Sequence, residues 1–217
     1  MKLQHRRRRE GRTDYHARLS LLKSGKPRLV VRKSLKNITC QIIGFAQIGD
    51  ATLVSADSRE LKSFGWTINT GNMPAAYLTG LLCAAKAKEK KITEAIPDLG
   101  LYQSVKGSRL YAAIGGAVAG GLHVPHSEEA LPPAEKLSGK HIADYAAKLK
   151  KEKPTQYKKL FSGYIAANVS PEELSKLFES TKVRILSNSP VEKKPVEQKD
   201  KDEKPKPKKA SKSGAAG

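Results

Sequence analysis

Three strand-like runs at hairpin spacing constrain this chain more than any other feature. Residues 28–34 (RLVVRKS), 38–47 (ITCQIIGFAQ) and 51–56 (ATLVSA) are rich in β-branched side chains, and the connectors 35–37 and 48–50 have hairpin length. The strongest helical stretch, 73–90, follows; Asn72-Met73-Pro74 opens it, and Tyr77, Leu78, Leu81, Leu82 and Ala85 form its apolar stripe. Lys86, Lys88, Lys90 and Lys91 sit at its C-terminal end, where the helix dipole favours cations. A fourth strand candidate, 95–102, contains Pro97, which places it near an edge or a strand start. A glycine-rich helix, 107–122, comes next, with Gly116 and Gly120 four apart so that a neighbour can approach closely. The order βββαβα predicts an α/β fold, a mixed sheet with helices packed on it.

The flanks are helical. Thr13-Asp14 is expected to cap a short helix through Lys23, with Tyr15, Leu19 and Leu22 on one face, ended by Ser24-Gly25-Lys26-Pro27. Residues 57–64, 138–151 and 155–165 read as helices. Ser170-Pro171-Glu172-Glu173 reads as a capping box opening a last helix through about Ser180. The chain therefore divides into a basic arm with a short helix (1–26), a mixed α/β domain (27–137), C-terminal helices (138–186) and a Lys/Pro-rich tail (187–217). The tail has almost no apolar residues and is expected to be disordered.

Composition says more about partners than about fold. The 217 residues carry a formal net charge of +20, and residues 1–36 hold 13 basic side chains against two acidic ones. A secretory signal would place an apolar run after the arginines, and none is there; Glu10 and Asp14 argue against a mitochondrial presequence. The longest apolar stretch, 110–122, contains four glycines and falls short of the roughly 18 residues a membrane span needs. Two cysteines, Cys40 and Cys83, exclude a disulfide scaffold, read as small core residues, and suit a reducing compartment such as the cytoplasm.

Catalytic and cofactor chemistry finds little support. Ser138-Gly139-Lys140 lacks the upstream glycine of a phosphate loop, and the Gly115-Gly116 and Gly120-Gly121 pairs do not fit a dinucleotide fingerprint. His123 and His126 form one close pair, without the further ligands zinc requires. The βββαβα order is similar to the ribonuclease H-like arrangement, whose nucleases hold two metal ions with carboxylates on the first strand. Here that strand carries no acid, and Asp57 and Asp98 could not build the cluster alone. No cofactor, metal or small-molecule substrate is expected.

Binding to a polyanion remains. Arg6, Arg7, Arg8, Arg9, Arg12, Arg18, Lys23, Lys26, Arg28, Arg32, Lys33 and Lys36 run from arm to helix to strand, with Tyr15 and His16 among them to stack on unpaired bases. Isolated lysines would read as a solvated face. Four successive arginines repel one another, and phosphates relieve that repulsion.

The stretches RRRREGRTDYHARLSLLKSGKPRLVVRKS (from Arg6), FGWTINTGNMPAAYLTGLL (from Phe64) and GKHIADYAAKL (from Gly139) resemble the archaeal and eukaryotic 5S-rRNA-binding family of the large ribosomal subunit, the universal family numbered eighteen. The resemblance covers about residues 1–185, and the compact length is archaeal in type. It implies a structural constituent of the large subunit, without catalysis, that binds 5S rRNA and helps attach it to the large rRNA beside neighbouring proteins of the central protuberance. Carried over by position, it implies RNA contact for Arg6–Arg9, Arg12, Tyr15, His16, Arg18, Lys26, Arg28, Arg32 and Lys33, and for Lys106 and Arg109 in a basic loop. The family usually has Asp where this chain has Ala119. Two other readings stand beside it: a free-standing RNA-processing factor or degenerate nuclease on the same fold, and a DNA-compacting basic protein.

Overall fold

The computed structural model describes residues 3–4 and 6–188; the tail from 189 onward lies outside them. Four strands, β1 (Arg28–Lys33), β2 (Ile38–Gly44), β3 (Ala51–Asp57) and β4 (Ile96–Asp98), form one sheet in the order β3-β2-β1-β4. β1 pairs antiparallel with β2 and parallel with β4, and β2 pairs antiparallel with β3, so the sheet is mixed as expected. Side chains alternate across it. Leu29, Val31, Ile38, Cys40, Ile42, Val54 and Ala56 point to one face and are buried. Arg28, Val30 and Arg32 point to the other.

The inner face packs on α3 (Met73–Glu89), against which α4 (Arg109–Ala119) lies. Asn72 caps α3 by accepting the Ala75 N–H at 2.9 Å. The α3–α4 crossing is set by glycines. A Cβ on Gly116 would stand 1.9 Å from the Tyr77 carbonyl oxygen, and one on Gly80 would stand 1.9 Å from that of Ala113. The two helices thus touch backbone to backbone at reciprocal positions. Gly116 and Gly120 are close-approach positions, as their spacing suggested; Gly80 on the partner helix was not foreseen.

The helices α5 (Ala134–Leu137), α6 (Lys140–Glu152), α7 (Pro154–Leu160), α8 (Ser162–Ala166) and α9 (Leu174–Leu186) complete the described chain, with α5 and α9 packed on α3. Tyr77 of α3 and Phe178 of α9 bring their rings to 5.6 Å. Ala146, Leu149 and Phe161 form a second small core joining α6 to α7 and α8.

Several expectations need correction. The fourth strand ends at Asp98, because Gly100 turns the chain at φ 59° and donates its N–H to Asp98 Oδ1. The helix expected over 155–165 breaks at Phe161, whose ring turns into the small core. Ser170 makes no capping bond, and Glu173, which a capping box would send back to it, bonds Lys176 at 3.1 Å. A capping box stands at Asp57 instead: its carboxylate accepts the Arg59 N–H, and Glu60 accepts the Asp57 N–H. The last helix runs to Leu186.

β3 is an edge strand, and unpaired strand carbonyls invite another chain. Two lysines one turn apart at the C-terminal end of α3, Lys86 within it and Lys90 just past it, cover two of them. Lys86 Nζ donates to the Ser55 carbonyl at 2.9 Å and Lys90 Nζ to that of Leu53 at 2.6 Å, while Lys86 also pairs with Glu60.

Both cysteines are buried and free. Burial pushes the Cys83 thiol up to about 12 and that of Cys40 well above its ordinary value. The native protein is therefore expected to leave both thiols unmodified by an aromatic disulfide reagent at pH 8, and to titrate two per chain in denaturant. Rapid native labelling would show that the β2–α3 contact opens.

Candidate nucleic-acid interface

The sheet's outer face carries the N-terminal segment. Arg6–Arg9 form one helical turn, α1, with every side chain exposed. Glu10 pairs with Arg6 at 2.8 Å and with Arg12 at 3.3 Å, and Arg7 Nε donates to Thr13 Oγ1 at 2.8 Å. The arm thus forms a turn braced within its own segment. Gly11, at φ 62°, reverses the chain into α2 (Tyr15–Leu22). Asp14 caps α2 by accepting the N–H groups of His16 and Ala17, at 2.9 and 3.1 Å. The Ala17 and His16 bonds hold its carboxyl below the usual carboxylate range.

The helix meets the sheet differently from its sequence pattern. Leu19 is 56% exposed, whereas Ala17 and Leu21 line a cleft of about 1060 Å³ shared with Val30 and Ile43 of the sheet. Arg7, Arg12, Arg18, Arg28 and Arg32 line the same cleft.

Asp50, just before β3, holds this arrangement. Its Oδ1 and Oδ2 accept from Arg18 Nη2 at 2.9 and 2.8 Å, and Oδ2 also accepts from Arg28 Nη2 at 2.8 Å. Arg28 Nη1 donates to Asp98 Oδ2 at 2.6 Å. One carboxylate thus ties α2 to β1, and the other ties β1 to β4, where Val30 and Asp98 are register partners.

The expected RNA-facing residues fall into two groups. Arg28 requires a correction: it is 4% exposed, with both terminal nitrogens committed to carboxylates, so it serves the fold and presents no free guanidinium. Arg109 likewise turns inward, donating to the Gly71 carbonyl at 2.6 Å. Arg18 is bound to Asp50, and Lys26 to Glu94 at 2.7 Å. Lys33 lies over the Tyr102 ring at 5.3 Å, and Lys106 reaches Glu129 at 2.8 Å while staying exposed. Arg8, Arg9, Lys23 and Lys36 are exposed, and their side chains make no hydrogen bond or ion pair among the described residues. His16 is exposed, Tyr15 half-buried, and Arg32 exposed with Nη1 on Gln41 Oε1 at 2.8 Å. Ala119 ends α4, exposed.

Asp50 and Asp98 escaped the sequence reading as clamps. Strand alternation was the available signal, since it puts Arg28 and Arg32 on the outer face, where a buried guanidinium demands a carboxylate.

Comparison with known proteins identifies the family to which this basic arm and mixed sheet belong. Residues 1–96 match the family described as ribosomal large subunit proteins 60S L5 and 50S L18. Among curated proteins, the large ribosomal subunit protein uL18 of the archaeon Caldivirga maquilingensis is 50% identical over 186 residues, 85% of this chain and 90% of the relative. The chain belongs to the uL18 family. As a member of that family it is a structural constituent of the large ribosomal subunit, a cytoplasmic particle.

Proposed function

We propose that this chain binds 5S rRNA through its N-terminal basic surface and helps attach that RNA to the large rRNA in the central protuberance, beside neighbouring ribosomal proteins and without catalysis. The observation that carries this reading is the exposed arginine turn of α1, set on a rigid support by the Arg18–Asp50–Arg28 clamp. Guanidiniums fork onto phosphates and stack on bases, so this arginine-rich cluster, with Glu10 and Asp14 as the acids of its segment, fits a folded RNA. Arg6–Arg9, Arg12, Arg32, Lys23 and Lys36 supply the surface, and Arg28 supports it from within.

The purified chain is expected to bind 5S rRNA with a steep salt dependence. If about six phosphates are neutralised, log K falls with log salt at a slope near −4 to −5, bracketed by the single-strand and duplex limits. A slope flatter than about −2 would take the arm off the phosphates. Equal affinity for duplex DNA of the same length would favour the DNA-compacting reading instead. Loss of the chain from large subunits under a high-salt wash would favour a free-standing factor.

A further inference from the structure

The charge has a second pole. Residues 134–160 contain eight lysines against three acids, whereas residues 37–133 and 161–189 together contain eleven basic and eleven acidic side chains. All the excess positive charge between the N-terminal segment and the tail therefore sits on α5, α6 and α7. These helices are separated from the arm by the fold itself: the arm and α2 lie on the outer face of the sheet, α3 packs on the inner face, and α6 packs on α5, α7, α9 and the 171–173 turn.

The solvent face of α6 is specific in composition. Ala146 and Leu149 point inward to the small core, and Ile142 packs beside them. On the opposite side Lys140, Lys148 and Lys151 fall within about 80° of arc over roughly 17 Å of helix, with exposed Asp144 the one acid inside that arc, its carboxylate in no ion pair among the described residues. Exposed His141 and Tyr145 flank the stripe, and Tyr145 is 51% exposed. The stripe's acidic partners hold it weakly: Lys140 to Glu135 at 3.3 Å and Lys148 to Glu152 at 3.9 Å, all four side chains more than half exposed. Lys151, Lys153, Lys158 and Lys159 make no ion pair among the described residues. Lys150 differs. It turns toward Glu172 at 3.0 Å, whose hydrogen bond raises its pKa, and lies over Tyr157, bracing α6 against α7.

We infer that the α6–α7 lysine face is a second RNA site, which takes the phosphate backbone of an RNA helix distinct from the one held by the arm. Lysines act as mobile point charges that position a backbone without reading bases, and duplex RNA is recognised largely through phosphates and shape. With the arm on the opposite side of the α3 layer, one chain can hold two RNA segments at once. The inference rests on the proposed role of the arm.

The test uses the full chain saturated with fluorescent 5S rRNA and titrated with a 16-base-pair RNA duplex of arbitrary sequence carrying a second dye. The wild type is expected to form the ternary complex. The Lys140→Ala, Lys148→Ala, Lys151→Ala variant should keep its 5S affinity within about twofold, lose about tenfold or more in duplex affinity, and flatten the duplex salt slope by about two to three. The corresponding Lys→Arg variant should restore duplex uptake, which separates charge from helix stability. A 5S complex that takes up no duplex at low salt, or an Ala variant that takes it up like the wild type, would overturn the inference alone. So would parallel loss of 5S binding in the Ala variant, since the face would then belong to the first site. Displacement of the duplex by poly-glutamate at equal charge would assign the face to an acidic protein and overturn the inference. Failure of the wild type to bind 5S rRNA would sink the proposed role itself.

Discussion

Replacing Arg6, Arg7, Arg8 and Arg9 together by Ala is expected to lower affinity for 5S rRNA by about two orders of magnitude or more at moderate salt. The melting temperature should stay within about a degree, because surface changes away from packed features typically alter stability by no more than about 0.5 kcal/mol. All four side chains are exposed, and their hydrogen bonds and ion pairs reach Glu10 and Thr13 in the same segment. The salt slope should flatten with the affinity, because fewer counterions are released. Arg→Lys at the four positions keeps the charge and loses the fork, so its affinity should fall between the two. Arg28→Ala should behave in the opposite way. It strips a buried partner from both Asp50 and Asp98, leaving Asp50 with Arg18 alone and Asp98 with no cation among the described residues, and should cost about 3 kcal/mol. Any loss of RNA affinity would then follow loss of the folded state. Titrating RNA at a temperature where both variants are folded separates the two effects. An arm variant that binds like the wild type would move the recognition surface to the sheet.

The second large effect lies in the core. Gly80→Ala and Gly116→Ala each place a methyl group against the carbonyl of the facing helix, and backbone cannot yield as a flexible side chain would. Overpacking of this kind typically costs about 1–3 kcal/mol, and contact with main chain on both helices puts these two at or above the upper end. For a domain of this size that corresponds to a fall of about 6–12 °C in melting temperature. Gly163→Ala provides the contrast. It lies in α8 with open space around it, so the same substitution should be neutral or stabilising by up to about 1 kcal/mol. Thermal unfolding of the three variants measures this directly, and a Gly116→Ala protein as stable as the wild type would mean that α3 and α4 can separate without penalty.

Local chemistry was legible in the chain. The β-branched runs, the Asn72 cap of α3, the Asp14 cap of α2 and the Gly116–Gly120 spacing each depend on neighbours a few residues away, and each was readable. The position of β4 at the sheet edge followed from Pro97, because a ring without an N–H is excluded from the centre of a ladder. The basic arm was legible because charge density needs no fold to be counted. The ends of elements were less so: the strand stop after Asp98 and the helix break at Phe161 depend on a turn and on a side chain's burial.

Tertiary structure alone decided which cations are free. Arg28 and Arg32 have the same chemistry and stand four residues apart on one face of one strand. Arg28 is consumed because Asp98 and Asp50, 70 and 22 residues away, converge on it, whereas Arg32 meets only an amide. Tertiary packing likewise paired Lys150 with Glu172 and left Lys140, Lys148 and Lys151 on one outward stripe, and it brought Gly80 opposite Ala113. A side chain's charge is a property of the residue. Its availability to a partner depends on the nearest opposite charge in space, and chain folding brings that charge from far away in sequence.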